Sequence, residues 1–363
     1  MERRFKIQCD NRIILFRNIK EYDPFMRKLN NILRTLGAWA CWVALPTMVA
    51  GCIDEDLSDC GNDYELAYTL KLETTLDVQL DHELTTVLER DLGQRLQAAL
   101  SNVFTEHAHD VSLMFFGEDS TCRHSEVHYP DASEVSFSIY LPIDEYMHLA
   151  VANNEEDGNM VEIAKNDFAP HTLLRSMAMD TVPSHVTGLF TTRMPMHVKD
   201  YDQSFHAHLY MQNCATVLVL DPNDVKVKDV RGAVLGVAHD FLIRDSIYCF
   251  PTTDIPVRAE RLQETGNRLK CLYSVNFPSH NYPLLSRTDD KQTAAWRYHV
   301  YVTLSDGSVT ETTLYFKEPL QAGDLRIVKG SINSQGAIVP NNPEVGVSVE
   351  LNWNQGGVFN PEL

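Results

Sequence analysis

Apolar residues recur at every second position through much of this chain. Tyr64, Leu66, Tyr68, Leu70 and Leu72 share one face of an extended segment; Val135, Phe137, Ile139 and Leu141 share that of another, followed by Met147, Leu149 and Val151. The spacing returns in Trp296, Tyr298, Val300, Val302 and Leu304, and again in Val345, Val347, Val349, Leu351 and Trp353. A period of two sends successive side chains to opposite faces of a strand, so these segments read as strands with one face buried. Turn formers separate them, among them Ser305-Asp306-Gly307 and Asn341-Asn342-Pro343. One wet face suits antiparallel sheets, because strands of parallel sheets are covered on both sides and read as unbroken apolar runs. The expected fold is mainly β, with two packed sheets in each domain.

One segment breaks the alternation. From Asp81 to about Glu106, Leu84, Val87, Leu88, Leu92, Leu96, Leu100 and Val103 recur at helical spacing, with Asp81 as the cap and Gly93 as a weak point. This predicts a crossover helix in the first domain, its apolar stripe facing the core. At 363 residues the chain exceeds one ordinary core, so two domains are expected. The polar stretch over 192–205 marks their join, giving an N-terminal β-sandwich over 64–198 and a C-terminal one over 199–363.

The first 51 residues read as a leader. From Met26 a basic stretch (Arg27, Lys28, Arg34) precedes an apolar core from Leu36 to Val49, the layout of a secretory signal. That core is about 14 residues, short of the roughly 20 a membrane-spanning helix needs. The signal is therefore placed at 26–51, with translation expected to begin at Met26. Its ending, Val49-Ala50-Gly51-Cys52, resembles the bacterial lipobox: cleavage falls between Gly51 and Cys52, and the Cys52 thiol takes a diacylglycerol. Two or three acyl chains, at ~0.8 kcal/mol per buried CH₂, hold a protein on a membrane durably. An acidic tether follows, with Asp54, Glu55, Asp56 and Asp59 inside 52–63, and resembles the export signal for the outer face of a Bacteroidetes outer membrane.

The net charge is −19, and the residues after the leader carry 22 basic and 46 acidic side chains, net −24. Such a field repels phosphate backbones and argues against nucleic acid as a partner. Eight cysteines include no C-x-x-C pair, and the five left beyond Cys52 cannot all pair internally. His107 and His109, His206 and His208, and His124 and His128 are close in sequence, but nothing completes a metal-ligand spacing. Asn153-Asn154-Glu155-Glu156-Asp157-Gly158 opens like a calcium loop, yet Ala164 stands where its last ligand should be, so a polar turn is expected. With no recognised nucleophile, phosphate-loop or metalloprotease pattern, no catalytic, cofactor or metal residue is assigned and the chain is read as a non-enzyme.

The lipobox cysteine, Asp-Leu-Ser-Asp-Cys at 56–60, the alternating first strand, Val-Ser-Leu-Met-Phe-Phe-Gly at 111–117, Leu-Ala-Val-Ala-Asn at 149–153 and the closing strand at 345–353 together resemble the FimB/Mfa-type fimbrial accessory lipoproteins of the Bacteroidales. The resemblance spans most of 52–353 and is one of pattern. It implies two tandem transthyretin-like sandwiches and a role as a lipid-anchored subunit, facing the cell surface, that holds the base of a fimbrium and limits its length through strand-edge contact with shaft subunits. Related shaft subunits are cut after an Arg near their first strand. Here no Lys or Arg lies between Cys52 and Lys71, which suits an anchor whose first strand stays in place. The strand carrying Val345, Val347, Val349, Leu351 and Trp353 is the candidate partner contact. The alternative is a surface lipoprotein that binds glycans or peptides for an uptake system.

Overall fold

The computed structural model describes residues 63–73, 84–130, 136–155, 161–165, 172–176, 180–262, 268–282, 284–285 and 293–351. In chain order the elements are β1 (Asp63–Glu73), α1 (Val87–Ala99), β2 (Val111–Phe116), β3 (Cys122–His128), β4 (Ser136–Pro142), β5 (Asp144–Ala152), β6 (Val161–Lys165), β7 (Thr172–Ser176), β8 (Val182–Pro183), β9 (Phe190–Val198), β10 (Gln203–Met211) and β11 (Cys214–Asp221). There follow β12 (Val227–Leu235), β13 (Asp240–Leu242), β14 (Ile247–Cys249), β15 (Val257–Arg258), β16 (Glu260–Arg261), β17 (Lys270–Asn276), β18 (Leu284–Leu285), β19 (Thr293–Ala294), β20 (Trp296–Leu304), β21 (Val309–Phe316), β22 (Leu325–Ile332), β23 (Ile338–Pro340) and β24 (Gly346–Leu351). The mainly β expectation holds.

A seven-stranded sheet runs β3-β2-β5-β9-β10-β1-β4. Alternation builds its outer part: Leu66 and Leu72 of β1 and Ile139 and Leu141 of β4 are buried, while Glu65, Ala67, Lys71 and Tyr140 are exposed. Strands β9 and β10 are registered only through Thr191 with Tyr210 and Phe190 with Met211. At the other side the rings of His128 on β3 and Phe137 on β4 stack at 3.9 Å, so the two outer strands of the sheet meet. The two halves curl around a shared core to which one half gives Leu66, Ile139 and Leu209 and the other gives Leu113, Phe115 and Met196.

Helix α1 enters this core through Leu92, Leu96 and Leu100, as its apolar stripe predicts. It is shorter than expected. Thr86, not Asp81, is the cap: its hydroxyl accepts from the Glu89 N–H while the Glu89 carboxylate accepts from the Thr86 N–H, a capping box. The helix stops at Ala99, and Val103 and Phe104 reach the core from the turn beyond it. Asp81 itself lies outside the described residues.

After Met211 the chain builds a five-stranded sheet, β16-β17-β11-β22-β23, and most of a six-stranded one, β24-β21-β20-β12-β15-β8, whose edge strand β8 comes earlier in the chain. These share a second core, with Leu218, Leu272, Val328 and Ile332 on one side and Val234, Tyr298, Val300 and Leu314 on the other. The opposite face of the five-stranded sheet sends Ala215, Val217, Val219 and Val275 into the first core. Strand β11 is therefore covered on both faces, which is why its sequence, Cys-Ala-Thr-Val-Leu-Val-Leu, shows no period of two. Strand β2 is covered twice for a like reason. A four-stranded sheet, β14-β13-β7-β6, lies over its far face, where Met114 and Phe116 meet Phe241 and Val161.

The antiparallel expectation needs correction in three places: β1 pairs with β10, β11 with β22 and β8 with β15 in parallel. Alternation survives in β1 because parallel pairing does not itself bury a face; the outer side of this part of the sheet stays wet. The stretch 192–205, where the join between domains was expected, runs through β9, a short connection and the start of β10, two strands of one sheet.

Candidate functional site

The residues read as a partner contact lead to the last strand of the six-stranded sheet. An Asx turn launches it: the Asn342 side chain accepts the Glu344 N–H at 3.0 Å, and Pro343 stiffens the bend. Just before, the Asn341 N–H donates to the Lys329 carbonyl at 2.9 Å, fixing the connection to β22. Strand β24 then pairs antiparallel with β21, from Gly346 opposite Tyr315 to Leu351 opposite Thr310.

Val345 and Val347 pack against the second core, and Val349 on the same face is 43% exposed. Val345, Val347 and Val349 share the predicted face, and it runs out of core at Val349. Leu351 ends the described strand; Trp353, and with it Gly51 and Cys52, lies outside the described residues.

Nothing among the described strands pairs with the outer edge of β24. Natural edges are usually shortened, bulged or charged with Lys to prevent pairing with other chains. Edge strands β8, β16 and β23 are two or three residues long, and β3 carries Arg123, His124, Glu126 and His128. Strand β24 is six residues with a single charged side chain, Glu350. Among the described strands β4 is the other long edge without Lys or Arg, and its Phe137 is engaged with His128. The arrangement at β24 offers main-chain donors and acceptors beside an apolar residue at the surface. It suits pairing with an added strand, not bond-making chemistry.

Beside the start of β24, the connection 341–345, the end of β21 and the first half of β22 enclose a cavity of about 720 Å³. Periodicity gives no sign of it, because it forms where two sheets diverge; the signal in the sequence is the Asn-Asn-Pro turn that carries the chain from one sheet to the other.

The remaining sequence candidates are dispersed. His206 and His208 lie on the exposed face of β10, and His124 and His128 on β3. Among the described residues no three His, Cys, Asp or Glu side chains come together as a metal site. The turn at Asn153 is held by Asp110, whose two carboxylate oxygens accept the Asn154 and Glu155 N–H groups at 3.0 and 3.1 Å. Burial raises the Asp110 carboxyl above its ordinary range, and the two N–H groups oppose that rise. Burial also pushes the Cys271 thiol up to about 12 and that of Cys214 higher still, so neither is a nucleophile near neutral pH. No described helix is long and apolar enough to cross a membrane.

No protein-family model matches the chain, and no curated protein matches it. Similar solved structures include the fimbrial anchor protein Mfa2 from Porphyromonas gingivalis, at 9% identity and a TM-score of 0.44, covering 80% of this chain and 99% of that one. A candidate adhesin from Bacteroides ovatus gives 9% identity, a TM-score of 0.46 and coverage of 80% and 95%. A candidate polysaccharide-binding protein from Bacteroides thetaiotaomicron gives 9%, 0.46, and 78% and 97%.

Proposed function

We propose that the chain is a lipid-anchored accessory subunit of a fimbrium. In this reading signal peptidase cuts before Cys52, acyl chains on Cys52 tether the protein to the outer membrane, and the acidic stretch at 52–63 links them to a body of two transthyretin-like sandwiches. The body receives the first shaft subunit on a strand edge and ends the fibre there, which anchors the fimbrium and limits its length.

The observation that carries the reading is the open, weakly charged edge of β24, with Val349 exposed beside it. Pairing at such an edge takes affinity from main-chain hydrogen bonds and register from alternate side chains. A protein that receives a strand on an edge and carries a membrane tether can start or end a fibre, whereas a shaft subunit must both give and receive a strand.

Photo-crosslinking tests this. A benzophenone amino acid replacing Val349 in living cells should yield adducts that rise by a constant subunit mass. A single adduct with an uptake transporter, or none, would exclude the anchor.

A further inference from the structure

We infer that a cleft at the seam between β12 and the strands β16 and β17 binds a single phosphate group, as free phosphate or as the monoester of a small molecule. The chain leaves the six-stranded sheet after β15 and enters the five-stranded one at β16, and the Ala259 N–H between them donates to the Gly232 carbonyl of β12 at 2.8 Å. That crossing brings Arg261 of β16 over β12, where its Nη2 donates to the Asp229 carboxylate and, at 3.1 Å, to the Val230 carbonyl. Lys228, Asp229, Arg261 and Lys270 line one cleft there.

A bulge puts two of these residues together. Successive side chains of a regular strand point to opposite faces. In β12, however, Val227 stands opposite Leu304 and Asp229 opposite Thr303, so Lys228 is an extra residue in the ladder. A bulge of this kind re-aims a side chain, and Lys228 and Asp229 border the same cleft.

Charge makes the cleft a site for an anion. The Asp229 carboxylate already accepts from two guanidiniums, that of Arg231 through Nε at 2.8 Å and that of Arg261. Burial opposes its ionisation, but these two partners outweigh burial and hold the carboxyl below its ordinary range. One carboxylate thus serves two arginines, with Lys228 and Lys270 beside them. Like charges gathered this closely repel, and an anion among them removes the repulsion. Arg261 keeps Nε and Nη1 to donate, on a side chain 47% exposed. Lys228 is exposed, and among the described residues no carboxylate pairs with it.

A guanidinium fork and an ammonium group together suit three acceptor oxygens. A further carboxylate would satisfy the fork and leave the lysine unmatched, whereas a phosphate group matches both. The cleft is about 10 Å³, room for one water molecule, so the phosphate sits at its mouth on the ends of the side chains. The net charge of −24 beyond the leader repels a long polyanion, which leaves a lone phosphate group as the ligand. This goes beyond the fimbrial reading, which concerns the edge of β24, and either can fail without the other.

Calorimetric titration of the full chain in neutral detergent, with inorganic phosphate and glucose 1-phosphate as probes at constant ionic strength, tests the inference. Each should bind saturably, one equivalent per chain. Tighter binding of the ester assigns a small phosphate ester as the ligand; equal binding assigns phosphate itself. Lys228→Gln should weaken binding about tenfold, the loss of one charged hydrogen bond, and leave the thermal melt of the unliganded protein in place. Lys317→Gln, which removes an equal charge elsewhere, should leave binding unchanged. Absence of saturable binding, an undiminished affinity in Lys228→Gln, or an equal loss in Lys317→Gln would overturn it.

Discussion

A methyl group added at Gly188 would lie 1.8 Å from the Val103 carbonyl oxygen, at a point where the Gly188 N–H already bonds the Asn102 carbonyl at 3.0 Å. Both groups are backbone, so neither can swing aside. Gly188→Ala should cost about 3 kcal/mol, the upper end of overpacking, read as a lowered urea midpoint at unchanged slope. Two buried histidines set a pH dependence. Burial, reinforced by nearby His239, lowers His185 from 6.5 to about 3; burial lowers His148 from 6.5 to about 4 against the opposing bond to the Met114 carbonyl. Both are neutral in the folded state and gain protons more readily when unfolded. Stability is thus full above pH 6.5 and falls as pH drops toward 4 and 3, by about 1.4 kcal/mol per pH unit for each group. Denaturant titrations between pH 7 and 4 should show that slope, and His185→Phe should reduce it by one histidine's share. Neither Gly188 nor His185 could be picked out in the sequence, since each owes its role to a segment distant along the chain.

At the scale of elements, period-two strands were legible wherever one face stayed wet, as in β1 and β4. They were illegible where a second layer covers the other face: β2 is buried throughout and β11 everywhere but at Asp221, and both look like short apolar runs of no fixed type. Helix α1 was legible as a helix but not in its limits, because leucine spacing continued past Ala99 into a turn whose side chains also enter the core. The capping box Thr86-x-x-Glu89 was the better guide to its start. Thr86→Ala should destabilise by about 1 kcal/mol. Gly93→Ala should stabilise by about 0.5 to 1 kcal/mol, since the new methyl group meets Leu84 at an ordinary 3.4 Å and the backbone there is helical. Thermal melts of the two variants should move in opposite directions. The strand Gly346–Leu351 was legible from its alternation, but its place at the rim of a sheet was not. Rank order in a sheet depends on which distant strands pair, and periodicity carries no record of that.

For the whole molecule, the proposed function assigns tethering and partner contact to separate parts of the sequence. The lipobox-like stretch at 49–52 and the acidic run after it speak for a membrane surface; the open edge of β24 and the cavity beside it lie in the folded body that begins at Asp63. The acidic excess fits both a polar tether and a body that stays apart from others like it. An edge able to accept a strand is a liability in a free protein and an asset in one fixed beside its partner. The anchor reading depends on that fixation, and mass spectrometry of the N-terminal peptide from protein extracted with the outer membrane tests it most directly. The account predicts a peptide that begins at Cys52 and carries a thioether-linked diacylglycerol. A peptide with Cys52 unmodified, or retained within a longer chain, would contradict it.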